Sequence, residues 1–279
     1  MTDFSAIGED PAQTDADFPA TYLGVAFDSH GAQLVGVAYL AAGAGPHPTA
    51  LLLHGFPGHE QNRDLAQTIR RAGWNVILFH YRGAWGSGGD YRFLHVIEDV
   101  KSAIAHFKTP EVAQKFRVDP QKIVLIGHSL GGWSALINAI DGAVDAVASI
   151  AAPNLGTWGE TLADSPPQMH EPTLAFFRES LPPLAGVTAE DLRDELLEHY
   201  EAWDFMARVN GLKDRHVLLV AGALDDGVPP EMHHTPMVAL LEGINAPHLT
   251  HTIIDHADHA FSDRRVALAK TVLAWLGTL

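Results

Sequence analysis

The eleven residues from Lys122 to Gly132, Lys-Ile-Val-Leu-Ile-Gly-His-Ser-Leu-Gly-Gly, constrain the fold more than any other stretch. Ile123 to Ile126 form an unbroken apolar run, which a strand covered on both faces can carry because it needs no polar alternation. Gly127, Ser129 and Gly131 then mark a tight turn, and an apolar helical pattern follows from Trp133 to Ile140. A strand that reverses so sharply into a helix leaves its central residue strained and exposed, and a Cβ at either flanking position would clash. The helix starts beside Ser129, so its free N–H groups and positive dipole end can stabilise an oxyanion there. With 25 glycines in the chain, a Gly-x-Ser-x-Gly match arises by chance on the order of once in ten such chains, so the motif alone is weak. The rival explanation is a glycine-rich turn with an idle serine, and the rest of the chain must decide.

Upstream, residues 1–21 are acidic, small and turn-rich, as expected of a loosely held arm. Tyr22 to Phe27 and Leu34 to Leu40 flank Asp28-Ser29-His30-Gly31, a hairpin signal. Thr49 to Leu53 reads as a buried strand ending in His54-Gly55-Phe56-Pro57-Gly58, and Leu65 to Ala72 as a helix closed by Gly73. Trp74 to His80 is a further strand, leading into Tyr81-Arg82-Gly83 and more glycines. That loop lacks the Gly-Lys-Ser/Thr ending of a phosphate-binding loop, so a nucleotide role is set aside. Val96 to Phe107 has helical spacing, and Ala146 to Ala151 is the strand after the Ser129 helix. The alternation of strands and helices implies right-handed crossovers and a parallel sheet.

From Asn154 to about Tyr200 the pattern breaks. Pro166-Pro167, Pro172 and Pro182-Pro183 interrupt it, Met169, Phe176, Phe177 and Leu181 are apolar without a strand, and Thr188-Ala-Glu-Asp191 opens a helix with a capping box. Residues 154–200 therefore read as a helical insertion roofing the sheet's carboxyl edge, with a surface elaboration as the competing reading. The core is residues 22–153 and 201–279. His216 to Ala221 resumes the sheet before Asp225-Asp226, Met232 to Leu241 is a helix, and His251 to Ile254 is the last strand. A closing helix runs from about Arg264 to Leu276.

Composition narrows the function classes. With no cysteine, disulfides, cysteine nucleophiles and cysteine metal sites are excluded. A net charge of −16 disfavours nucleic acid and anionic lipid as partners. No apolar run reaches the length of a membrane span, and the acidic N-terminus lacks a secretory pattern, so a cytoplasmic protein is expected. The 17 histidines are scattered, none in a His-Glu-x-x-His pattern, and no metal or cofactor is expected. A homodimer is neither required nor excluded.

Three polar sites thus follow three separate strands, in the order Ser129, the Asp225/Asp226 pair and the His256/His259 pair. In a parallel sheet those strand ends meet at one edge. On these residues, from Tyr22 to the C-terminus apart from the insertion, the chain resembles the α/β-hydrolases, whose nucleophile elbow, acid and base occur in this order. The resemblance implies an α/β fold with a mostly parallel central sheet, helices on both faces and a helical lid. It further implies an elbow at Gly127-His-Ser129-Leu-Gly131. The segment Gly222-x-x-Asp225-x-x-Val228-Pro229 resembles the acid segment and favours Asp225 over Asp226, while Asp258-His259-x-Phe261 favours His259 over His256. His54-Gly55-Phe56 resembles the oxyanion loop, making the backbone N–H groups of Phe56 and Leu130 the donors. His54 is then expected to be structural, and Arg82 a loop anchor rather than a ligand for a substrate carboxylate. His54-Gly-Phe-Pro-Gly with Tyr81-Arg-Gly is similar to the esterases and peptidases nearest the prolyl-oligopeptidase catalytic domain, although this chain has no room for a propeller.

The activity so implied is hydrolysis of carboxylic esters, with Ser129 as nucleophile, His259 as general base and Asp225 orienting it. The substrate is then a small ester of short to medium acyl length, its pocket covered by Met169, Phe176 and Phe177. Amide or peptide hydrolysis is the alternative within the same chemistry, and a non-catalytic binding module the alternative outside it. Dehalogenases and epoxide hydrolases need a carboxylate where Ser129 stands.

Overall fold

The computed structural model describes residues 4–11 and 13–279; the first three residues of the expected arm, and Ala12, lie outside the described residues. The chain opens with a short helix, α1 (Ser5–Gly8), and a hairpin of β1 (Thr21–Ser29) and β2 (Ala32–Leu40). There follow β3 (His47–Leu53), α2 (Arg63–Arg71), β4 (Asn75–Phe79), α3 (Phe93–Lys108), α4 (Pro110–Phe116), β5 (Val118–His128) and α5 (Leu130–Ile140). After β6 (Ala146–Ile150) come α6 (Leu155–Ala163), α7 (Glu171–Ser180) and α8 (Ala189–Trp203) with no strand between them. The sheet resumes with β7 (His216–Gly222), α9 (His234–Gly243), β8 (Leu249–Ile254) and α10 (Arg265–Leu276).

The eight strands form one sheet in the order β1-β2-β4-β3-β5-β6-β7-β8. The β1–β2 and β2–β4 pairs are antiparallel and the remaining pairs parallel. Because consecutive side chains alternate between faces, the apolar runs split two ways. Leu51, Leu53, Ile123 and Leu125 enter one core beneath α3 and α5, whereas Ala50, Leu52, Val124 and Ile126 enter the other, against α2 and α10. Burial on both faces is the reason these strands carry no polar alternation.

Part of the expected arm is docked rather than loose. The Arg71 guanidinium donates to the Ala6 and Ile7 carbonyls at 2.6 and 3.4 Å, tying α1 to the end of α2. The inserted helices cover the carboxyl edge and are pinned there. Glu195 of α8 accepts from the Phe93 and Leu94 N–H groups at 2.9 and 3.2 Å, capping α3, whose positive end favours a carboxylate. Trp133 Nε1 donates to the Trp203 carbonyl at 3.1 Å. Helices α6 and α8 touch through Gly159, where a Cβ would come within 2.3 Å of the Leu196 carbonyl oxygen. Among the described residues no helix is long and apolar enough to cross a membrane.

Candidate active site

Ser129 sits between β5 and α5 with φ 55° and ψ −124°, a strained conformation for a residue with a side chain. Its flanking glycines explain how the turn closes. A Cβ on Gly127 would lie 2.1 Å from the Gly131 carbonyl oxygen, and one on Gly131 would lie 2.3 Å from that of Leu53. The Ser129 N–H is taken up by the Ile150 carbonyl at 2.8 Å, which sutures the elbow to the adjacent strand. The Leu130 and Phe56 N–H groups, by contrast, find no partner among the described residues. The loop carrying Phe56 lies close by: a Cβ on Gly55 would fall 2.9 Å from the Ser129 Cβ.

The structure separates the two sequence ambiguities. Asp225 is 3% exposed at the end of β7, while Asp226 faces solvent. Its Oδ1 accepts from the Gly227 and Val228 N–H groups at 3.0 and 2.8 Å, and its Oδ2 is 2.7 Å from His259 Nδ1. Because the carboxylate accepts, Nδ1 carries the proton and Nε2 is left bare on neutral His259. His256, three residues earlier, is exposed. The His259 carbonyl accepts from His128 Nε2 at 2.8 Å, and the two rings stand 4.9 Å apart. Burial holds His128 at about 4, so it stays neutral and donates through one nitrogen only.

Ser129 and His259 line one cavity of about 580 Å³, without a hydrogen bond between them. Such bonds commonly tighten only when substrate is bound. Phe56, Phe93, Trp158 and Phe176 form its aromatic walls, and Asn154, Thr157, Thr161 and His233 add polar edges. Among the described residues no Lys, Arg, Asp or Glu lines it. Of the three residues expected to cover the pocket, Phe176, 47% exposed, reaches the space. The other two do not. Phe177 is 0% exposed, its ring 5.8 Å from Phe93 and 5.3 Å from Trp158, because the next residue on a helix points about 100° away, here into the core. Met169 sits on a 3₁₀ turn, 65% exposed, away from the lining. Leu181 is half-buried against the core.

Helix α6, the first helix of the expected insertion, lines the cavity with Leu155, Thr157, Trp158 and Thr161, residues the sequence reading did not single out. The signal available was position: Asn154 comes four residues after the end of β6, at the strand edge where open sheets bind ligands. His233 was also missed. Its Nδ1 accepts from the Asn154 N–H at 3.2 Å, and burial lowers its pKa, which keeps the ring neutral at the cavity edge. Arg82 is buried against Asp99, with its Nε 2.7 Å from Oδ1, and also pairs with Glu98. It anchors a loop and lines no part of the cavity.

A sheet with this strand order, a strained serine at a strand-to-helix elbow, and an Asp–His pair at neighbouring strand ends define an α/β-hydrolase architecture. The chain belongs to the alpha/beta hydrolase family, whose model matches residues 50–271. Est1E from Butyrivibrio proteoclasticus has a similar structure, with a TM-score of 0.67 at 16% identity, covering 91% of this chain and 98% of that one. The Pyrococcus furiosus esterase Pf2001 is similar with a TM-score of 0.66 at 18% identity, covering 93% of each chain. The esterase domain of a Rhodothermus marinus protein matches with a TM-score of 0.62 at 22% identity, over 91% of this chain and 97% of that one. At these identities the likeness is one of fold. In sequence, an uncharacterized protein of Mycobacterium tuberculosis is 26% identical over 218 residues. That match takes in 76% of this chain and 64% of the relative, so the chain spans under two thirds of that protein's length.

Proposed function

We propose that this chain is a serine hydrolase that cleaves carboxylic esters of short to medium acyl length through an acyl-enzyme. The observation that carries the reading is His259, its Nδ1 fixed 2.7 Å from buried Asp225 while its ring lines the same cavity as Ser129. A serine hydroxyl is a poor nucleophile at neutral pH, so bare Nε2 of His259 takes its proton as Oγ attacks the acyl carbon. Asp225 holds the imidazole in the tautomer that leaves Nε2 free and stabilises the imidazolium formed. The Phe56 and Leu130 N–H groups, without partners among the described residues, are available to the oxyanion, where losing one such donor can cost roughly 3 kcal/mol. Collapse expels the alcohol with the proton from Nε2. Water, deprotonated by the same nitrogen, then releases the acid and restores Ser129.

The substrate class follows from the lining. A largely apolar wall without Lys, Arg, Asp or Glu among the described residues suits a neutral acyl group, and a cavity of about 580 Å³ holds a short or medium one. Two of the structural neighbours are named esterases, in keeping with this reading. The test is a rate panel of p-nitrophenyl esters from acetate to laurate beside matched anilides. Faster turnover of the acetate-to-octanoate esters than of laurate or any anilide is expected. Preferred cleavage of the anilides would favour the amide alternative, and no turnover of either would contradict the proposal.

A further inference from the structure

We propose that His80 is a positioning residue that acts through His54 on the Phe56 N–H; the inference rests on the oxyanion role proposed for that group. His54 is 2% exposed beneath the loop His54-Gly55-Phe56-Pro57-Gly58, with burial the main cause of a pKa near 3. It is therefore neutral, with one protonated and one bare nitrogen. Its Nδ1 lies 2.8 Å from the Gly55 carbonyl oxygen, which can only accept, so the proton is on Nδ1 and Nε2 is bare. His80 Nδ1 lies 3.3 Å from that bare Nε2 and must be the donor. Burial holds His80 near 4, so it too is neutral, and its own tautomer is fixed by the contact.

The chain of donors ends on the peptide that matters. The Gly55 carbonyl and the Phe56 N–H belong to one peptide unit, which is trans, so they point in opposite directions. Holding the carbonyl toward His54 turns the N–H to the other side, and Phe56 lines the cavity that holds Ser129. The surrounding contacts admit little else. Gly58, at φ 103°, closes over the imidazole, where a Cβ would come within 2.9 Å of His54 Nδ1. Trp85 Nε1 donates to the Pro57 carbonyl at 2.7 Å, and Tyr81 Oη to the His54 carbonyl at 2.9 Å. Without the His80 proton, His54 could carry its own on Nε2. Nδ1 would then face the Gly55 carbonyl lone pairs, and the peptide would lose its tether.

The experiment compares His80→Phe, which removes the donor, with His80→Asn, whose amide nitrogen can stand near Nδ1 and donate. Kinetics on p-nitrophenyl butyrate are measured beside ¹⁵N-resolved histidine tautomers in the wild type. The expected result is His54 in the Nδ1–H form, and a kcat about 10- to 100-fold lower in His80→Phe with KM within about twofold. His80→Asn should recover to within about fivefold of wild type. A kcat within twofold in His80→Phe, a loss confined to KM, or His80→Asn as damaged as His80→Phe would overturn the inference. So would a wild-type His54 in the Nε2–H form, which holds even if His80→Phe does not fold. A wild type that neither turns over esters nor takes a phosphonate on Ser129 would overturn the proposed function and this inference together. An active wild type with an undiminished His80→Phe overturns this inference alone.

Discussion

On the sheet side of the cavity Asp225 accepts three hydrogen bonds and His259 is held at both ring and carbonyl. On the roof side Phe176 leans into the same space half-exposed, touching Phe56 and Trp158 ring to ring at 5.9 and 6.1 Å. One wall is positioned by backbone donors and strand ends, the other by side-chain volume. Hydrogen bonds of a buried carboxylate are directional and costly to break, whereas aromatic contacts are favourable over a broad range of ring separations. Damage to the first wall should therefore appear in rate and damage to the second in selectivity. Only the layer behind the roof, around Phe177, should appear in stability.

The largest effects should come from the first wall. Alanine at His259 or Asp225 is expected to lower kcat by about 10³- to 10⁵-fold, and the double mutant should be little worse than the poorer single, since the residues act as a unit. Alanine at exposed His256 or Asp226 should leave kcat within about twofold. Steady-state kinetics on the four variants decide it. A greater loss at Asp226 or His256 would move the site by a residue or a turn.

Phe177→Ala comes next and should act on stability, by about 3–5 kcal/mol, because a fully buried ring leaves a cavity behind. Urea unfolding measures this. A loss under 1 kcal/mol with an altered chain-length profile would place Phe177 in the pocket instead.

The buried histidines set a third, pH-dependent effect. His54 and His128 titrate near 3 and 4 in the native fold, against about 6.5 when unfolded, so below that value the unfolded state binds more protons. Their contribution to stability is whole above about pH 6.5 and is lost as pH falls, down to about 4 for His128 and about 3 for His54. The slope reaches about 1.4 kcal/mol per pH unit for each, or about 2.8 for the two. His80 and His234, also held near 4 but partly reached by water, add less. Urea midpoints at pH 7, 6 and 5 should fall steeply, and a flat or rising series would contradict the assignment of neutral buried rings.

The smallest effect belongs to Phe176. Its alanine variant should change kcat/KM by about 1–3 kcal/mol between acyl lengths, extending the optimum to longer chains, and cost about 1 kcal/mol or less in stability. An unchanged chain-length profile would leave that ring with no part in the pocket.

The two walls were also unequally legible in the sequence. Strands such as Ile123 to Ile126 stand out because burial on both faces demands an unbroken apolar run, and Gly127 and Gly131 mark the elbow because no Cβ fits there. Asp225 and His259 follow strand ends, where the sheet's topology collects them. The roof offered no such rule. Phe176 and Phe177 are adjacent and alike, and only the docking of α7 against α6 and α8 decides which one faces the cavity. Helix α4, after the Lys108-Thr109-Pro110 break, is too short at seven residues to show a period. The His80–His54 contact joins residues 26 apart through the sheet, and nothing in either local pattern marks it.

The central claim, that Ser129 is a nucleophile driven by His259, is tested most directly by intact-mass labelling with a fluorophosphonate, followed by peptide mapping. The account predicts one phosphonate per chain, on the peptide holding Ser129, absent in Ser129→Ala and at least a hundredfold slower in His259→Ala, with both variants folded. A phosphonate on another residue, or a Ser129→Ala protein that still takes the label, would contradict it.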